Sequence, residues 1–240
     1  MIDPRLDVIA GRFSEVRNII AVSSGKGGVG KSMVSVSVAL SLLNQGFHVG
    51  LLDLDFTSPS THLILGAYGL IPEEDRGILP PEINGLKYMS IVHYSLENPT
   101  PLRGVDISNT IIEILAITRW EKLDYLIIDM PPGLSDATLD LIRLIPRITF
   151  LVVTTPSRLA FESVRKLLML LLGQGVTILG LIENMVMVPS LFIESEVKKM
   201  GCPYIGSVDF DSTLEPSIGN PKKLRKTRFY KQIEELCRKI

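Results

Sequence analysis

The chain reads as an α/β domain: a doubly wound, mainly parallel sheet with helices on both faces. Runs rich in Val, Ile and Leu recur without polar alternation, as strands covered on both faces do. Segments of helical period separate these runs. A glycine-rich turn joins the first run to the first helix. At 240 residues the chain fits one domain around one core, residues 1–240.

An N-terminal arm, residues 1–17, leads to a first strand at Ile19 to Ser23, and a helix over Lys31 to Asn44 follows, stopped by Gly46. The second strand is His48 to Asp53. Residues 66–104 then break the rhythm, with Pro72, Pro80, Pro81, Pro99 and Pro101 set among glycines around one short strand, Leu86 to Ile91; this predicts a surface excursion. Beyond it the alternation resumes. Strands at Tyr125 to Asp129, Thr149 to Thr154, Thr177 to Ile182 and Tyr204 to Val208 interleave with helices at Ile107 to Thr118, Ala137 to Leu144, Ala160 to Leu172 and Glu194 to Met200, with Gly173 as a helix stop. The last segment, 222–240, puts Phe229, Ile233, Leu236 and Ile240 at helical spacing among Lys222, Lys223, Arg225, Lys226, Arg228 and Lys231. Such a basic helix either packs on its own domain or lies on anionic lipid.

Composition narrows the function classes. Lys plus Arg number 25 against 26 Asp plus Glu, a net charge of -1, so no global field favours nucleic acid, and none is expected as a partner. The longest uninterrupted apolar stretch, Leu167 to Leu172, is far short of the ~18 residues of a membrane span. Met1-Ile2-Asp3-Pro4-Arg5 does not resemble a signal peptide, so a cytoplasmic protein is expected. Cys202 and Cys237 form no C-x-x-C and are expected as buried thiols, while His48, His62 and His93 lack ligand spacing.

The chemistry concentrates at Gly25-Lys26-Gly27-Gly28-Val29-Gly30-Lys31-Ser32, which fits G-x-x-x-x-G-K-[ST] directly after an apolar run. Glycines let the backbone turn its N–H groups toward phosphates, Lys31 reaches β and γ oxygens, and the Ser32 hydroxyl joins a Mg²⁺ shell. The helix start adds its positive end. A nucleoside triphosphate with Mg²⁺ is thus the expected ligand.

In open α/β sheets ligands gather at the carboxyl ends of strands. Asp129, closing Leu126-Ile127-Ile128, is the acid expected to support Mg²⁺ through retained waters. Gly133, in Pro131-Pro132-Gly133, can offer its N–H to a γ-phosphate as a switch. Asp53 and Asp55 end another strand, one placed to support the metal and Asp55 to orient the attacking water; loop capping is the alternative. Lys26 is a second loop cation that phosphate binding does not need, and a cation delivered to a neighbouring subunit would stabilise the transferring phosphoryl.

K-G-G-V-G-K-S at Lys26 to Ser32 resembles the deviant Walker A signature of the MinD/ParA/nitrogenase-iron-protein class of dimerising ATPases. Asp53-Leu54-Asp55-Phe56-Thr57-Ser58-Pro59-Ser60, Asp124 to Gly133 and Ile182-Glu183-Asn184-Met185 further resemble the Mrp branch. The resemblance, from about Asn18 to Asp211, implies an ATP-sandwich homodimer in which Lys26 reaches the partner's phosphates and Asn184 contacts adenine. It also departs from the branch. Cluster-carrying Mrp proteins have a C-x-x-C shortly after E-N-M, whereas here Ser190 and Ile193 take those places in Val186 to Ile193, and neither supplies a thiolate to iron.

Cluster-less Mrp-like ATPases include archaeal nickel-maturation factors for [NiFe] hydrogenase, and the opening Met1 to Arg5, Ala10 to Phe13 and Pro99 to Gly104 look similar to that type. The resemblance implies an ATP-driven dimeric switch delivering nickel with a small metal-carrying partner. The alternatives are an iron-sulfur carrier of Mrp type and a MinD/ParA-like positioning ATPase at membrane or DNA. The apolar tract Met185 to Ile193 is a docking surface in the first account and a core segment otherwise.

Overall fold

The computed structural model describes residues 3–93 and 105–240; Pro99 to Gly104 and Met1-Ile2 lie outside it. The elements, in chain order, are α1 (Arg5–Phe13), β1 (Val16–Ser24), α2 (Lys31–Asn44), β2 (Val49–Asp53), α3 (Thr61–Leu65), β3 (Glu73–Glu74), β4 (Ile78–Leu79), β5 (Glu82–Ile83), β6 (Leu86–Ser90), α4 (Val105–Ile117), β7 (Leu123–Asp129), α5 (Asp136–Leu144), β8 (Thr149–Thr154), α6 (Arg158–Gly173), β9 (Thr177–Val186), α7 (Phe192–Lys199), β10 (Tyr204–Asp209), α8 (Pro221–Leu224) and α9 (Arg228–Cys237).

Among the described residues one sheet runs β10-β9-β8-β1-β7-β2-β6-β5, parallel except for β5 against β6, while β3 and β4 pair apart from it. β1 lies centrally, between β8 and β7. Its residues are buried alternately into two cores: Ile19 and Ala21 face α1, α4, α5, α6 and α7, and Ile20 and Val22 face α2, α3, α8 and α9. Leu126, Ile127 and Ile128 of β7 repeat the alternation. An unbroken apolar strand is what two covered faces require.

Differences from expectation have local causes. The N-terminal arm contains α1, whose Ile9 and Phe13 reach the first core. The excursion 66–104 holds the short pairings β3 to β5, too brief to leave a periodic signal. β9 continues four residues past Ile182 to Val186 and carries Met185 in the left-handed region, φ +62°, a strained conformation for a side chain of that size. α6 includes Gly173 as its last residue, capped by Gln174, with the positive φ at Gly175 rather than at Gly173.

The C-terminal helix is resolved in favour of the domain. Phe229, Tyr230, Ile233 and Leu236 of α9 are buried in the second core, against the flank of α2. α2 is therefore covered on both sides, which is why Val34 to Leu42 are buried throughout. An apolar face spent on α2 is not available to lipid, and among the described residues no helix is long and apolar enough to cross a membrane.

Candidate nucleotide site

The carboxyl end of β1 opens into the glycine loop, which turns through Gly28 (φ +78°) and Gly30 (φ +79°) into α2. Positive φ explains glycine at both positions. Gly25 is required for another reason: a Cβ there would stand 2.5 Å from Val164 N of α6. The loop borders a cleft of about 470 Å³ lined by Lys26, Gly28, Lys31, Ser32, Asp55 and Pro132, among others. Gly27 and Gly30 also line it, while Val29 is buried beneath the loop.

Lys31, at the first turn of α2, folds back onto the acids. Its Nζ lies 2.8 Å from Asp129 Oδ2 and 3.8 Å from Asp55 Oδ2, with lysine and acids buried. Ser32 Oγ donates to the same Asp129 Oδ2 at 2.6 Å, and Ser35 Oγ, one turn later, lies 2.6 Å from Oδ1. Ser32 and Asp129 are hard oxygen donors beside the phosphate loop, the set that suits Mg²⁺, and the Lys31 ammonium already provides a positive charge against the carboxylate. The residues therefore fit the cation.

Asp55 Oδ1 accepts from Thr57 Oγ1 at 2.7 Å and Ser58 N at 3.1 Å, which leaves Oδ2 toward the cleft. Asp53 departs from the expectation of a metal-supporting residue. It is fully buried, its Oδ1 accepts the Asp55 N–H at 3.0 Å, and its Oδ2 accepts from Thr61 Oγ1 at 2.5 Å. Thr61 Oγ1 is also 2.9 Å from Tyr88 Oη. Asp53 thus braces the backbone of Asp55. Burial, reinforced by the charge of Asp129, raises its pKa to about 7.

Gly133 (φ +81°) comes to the loop, but its N–H donates to Ser24 O at 2.8 Å rather than standing free. Asn184 lies under the loop, its Nδ2 donating to Val29 O at 2.9 Å and its buried Oδ1 unpartnered. Lys26 projects from the loop with its side chain exposed at the cleft. Among these residues sequence reasoning missed Ser35, Thr61 and Tyr88; for Ser35 the available signal was its place three residues after Ser32, on the same face of α2.

The other candidate metal ligands lie outside the cleft. Cys202 and Cys237 are buried in the two different cores, on opposite faces of the sheet, and burial pushes Cys237 up to about 11. His48 sits at the surface beside Asp124, and burial holds His62 and His93 below the usual imidazole range. Among the described residues no cluster of three or more His, Cys, Asp or Glu could hold a metal ion. The tract after β9 exposes Met187, Val188 and Leu191, while Ile193 enters the first core, so the core reading holds for part of it.

A glycine loop between a central parallel strand and a helix, with a lysine, a serine and a strand-end aspartate converging on one cleft, defines a P-loop NTPase. The model of the family described as ParA, the NUBPL iron-transfer P-loop NTPases, matches residues 15–240, and the chain belongs to that family. It is 38% identical over 177 residues to an iron-sulfur cluster carrier protein of Pseudomonas fragi, covering 72% of this chain and 62% of the relative. It is 44% identical over 175 residues to one of Haemophilus influenzae, covering 72% and 47%. With a cytosolic Fe-S cluster assembly factor Nubp2 homolog of Drosophila simulans it shares 41% over 182 residues, 72% and 70% of the two chains. The matches thus span 62% and 47% of the two bacterial relatives. A nucleotide-binding protein from Archaeoglobus fulgidus, solved with ADP, superposes with a TM-score of 0.78 at 29% identity over 92% of this chain and 93% of its own. MinD of Aquifex aeolicus shares the fold, at TM-score 0.68 and 20% identity over 92% and 95%.

Proposed function

We propose that this protein is a Mg²⁺-dependent ATPase that closes as a homodimer and acts as a switch in iron-sulfur metallocentre assembly in the cytosol. The observation that carries the reading is the convergence of Lys31, Ser32, Asp55 and Asp129 on one cleft, with Lys26 exposed at its rim. Lys31 would exchange its carboxylates for the β and γ phosphates. Ser32 and Asp129 would hold Mg²⁺, which would neutralise phosphate charge there. Asp55 Oδ2 would orient the attacking water, and Lys26 would reach the γ-phosphate of the second copy.

The names of the relatives favour iron-sulfur chemistry over the nickel delivery expected from the sequence, since none of the three names nickel. The chain's own cysteines do not suit it as a thiolate carrier of a cluster: they lie on opposite faces of the sheet, and Ser190 and Ile193 stand where cluster-carrying Mrp proteins have the pair. We therefore assign it the ATP-dependent step, with cluster ligands supplied by a partner. Sedimentation with ADP and with a non-hydrolysable ATP analogue tests the switch. Dimer formation with the analogue alone, and a concentration-dependent ATPase lost at least tenfold in Lys26→Ala, are expected; a monomer in both states overturns it. Metal analysis of the partner captured with the analogue tests the cargo, iron with sulfide supporting the proposal and nickel reinstating delivery of that metal.

A further inference from the structure

We infer that Ser35 is a positioning residue for Asp129, holding the carboxylate in the rotation that keeps one oxygen facing the phosphate loop. The inference rests on the nucleotide reading above and adds a residue to it. Ser35 is fully buried in α2, one turn beyond Lys31 and outside the cleft lining. Its Oγ lies 2.6 Å from Asp129 Oδ1 and 3.1 Å from Lys31 O. A serine hydroxyl carries one proton, so it donates to one of the two, and the shorter contact to the charged acceptor takes it. The alternative contact, to the carbonyl one turn back, is the generic way a helix satisfies a buried serine.

The other Asp129 oxygen, Oδ2, receives Ser32 Oγ at 2.6 Å and Lys31 Nζ at 2.8 Å. Those are the two groups that nucleotide and its cation would draw away. Once they leave, Ser35 is the donor among the three that stays, because it sits behind the carboxylate rather than in the cleft. The terminal torsion of an aspartate is soft and roughly two-fold. Without a donor on Oδ1 the carboxylate would sample rotations that turn its lone pairs off the Ser32 side, and its support for a cation would weaken while the pocket for phosphates stayed intact.

The test separates cation linkage from nucleotide binding. Fluorescent ADP is titrated into wild type, Ser35→Ala and Ser35→Thr with EDTA and with Mg²⁺, and Mn²⁺ binding to the ADP complexes is followed by electron paramagnetic resonance. Expected for Ser35→Ala is ADP affinity in EDTA within about twofold of wild type, with the gain on adding Mg²⁺ and the Mn²⁺ affinity each reduced about tenfold, the size of one charge-assisted hydrogen bond. Ser35→Thr, which keeps the hydroxyl, should recover most of both; if its extra methyl does not pack, Ser35→Ala alone decides. An unchanged Mg²⁺ gain and Mn²⁺ affinity in a folded Ser35→Ala protein overturn the inference while leaving the nucleotide reading in place. A wild-type protein that binds no ADP, or gains nothing from Mg²⁺, overturns both.

Discussion

Lys31 Nζ and Asp129 Oδ2, 2.8 Å apart and buried at the base of the cleft, form an ion pair. The phosphate loop is thereby held by its own acids. Removing the lysine leaves Asp129 and Asp55 close together and uncompensated, a loss that costs about 3 kcal/mol at buried pairs. Lys31→Ala should therefore lower the unfolding free energy by about that amount near neutral pH, as well as abolish nucleotide binding. Urea denaturation checks it. Adding Asp129→Asn to Lys31→Ala should recover part of the loss, since the charge left unpaired is then gone. A Lys31→Ala protein as stable as wild type would show that this ion pair does not contribute to stability.

The Gly133 N–H offers a second test, because it is donated to Ser24 O at 2.8 Å while the sequence reading assigns it to a γ-phosphate. Both cannot hold at once. Binding of ADP should leave the Gly133 amide resonance near its free position, and a non-hydrolysable ATP analogue should shift it strongly as the bond to Ser24 opens. Gly133→Ala should fold, since the nearest atom to an added Cβ is Gly25 O at 3.8 Å, but with φ +81° it should lose about 1 kcal/mol. An amide unmoved by the analogue would remove this loop from the switch.

The sheet was legible because β1, β2, β7 and β8 are apolar on both faces and bounded by turns, and Thr149–Thr154 and Lys31–Asn44 match expectation residue for residue. Most of the elements missed were too short to carry a period, although the nine-residue α1 was read only as an arm. α3 is five residues long, and β3 to β5 are two each. At the site, motif spacing identified Lys31, Ser32 and Asp129, because each makes its contact from the end of a regular element. It could not separate Asp53 from Asp55. Asp53 ends β2 while Asp55 lies beyond it in the loop, so the strand's alternation does not fix where Asp55 points, and what Asp53 bonds depends on Thr61 and Tyr88, distant in sequence.

Asp53 gives the molecule a pH dependence. Its pKa is raised from 3.8 to about 7, first by burial and then by the charge of Asp129. The folded state holds the proton more tightly than the unfolded chain, so between these values the native state binds more protons and stability falls as pH rises. The protein should lose stability as pH rises from about 4 through about 7, by a few kcal/mol at most. Asp53→Asn should flatten that profile over the same window. A wild-type profile that is flat or rises across it would mean that Asp53 is ionised throughout, stabilised by its bonds from Thr61 and Asp55.

Asn184 is tied to the loop through Val29, and its proposed contact with adenine can be tested. Its Nδ2 must face Val29 O, which can only accept, and this orients Oδ1 as a buried acceptor without a donor. Such an atom costs about 1–3 kcal/mol until something donates to it. The exocyclic amine of adenine is a donor, whereas guanine presents a carbonyl at the same ring position, so ATP should bind at least tenfold tighter than GTP. Asn184→Ala removes the acceptor together with the tie to Val29: ATP affinity should fall about tenfold, GTP affinity much less, and stability by about 1 kcal/mol. Competition titrations of both nucleotides against fluorescent ADP, on wild type and variant, read the difference. If both affinities drop by the same factor, Asn184 serves only to hold the loop, and the base is read elsewhere.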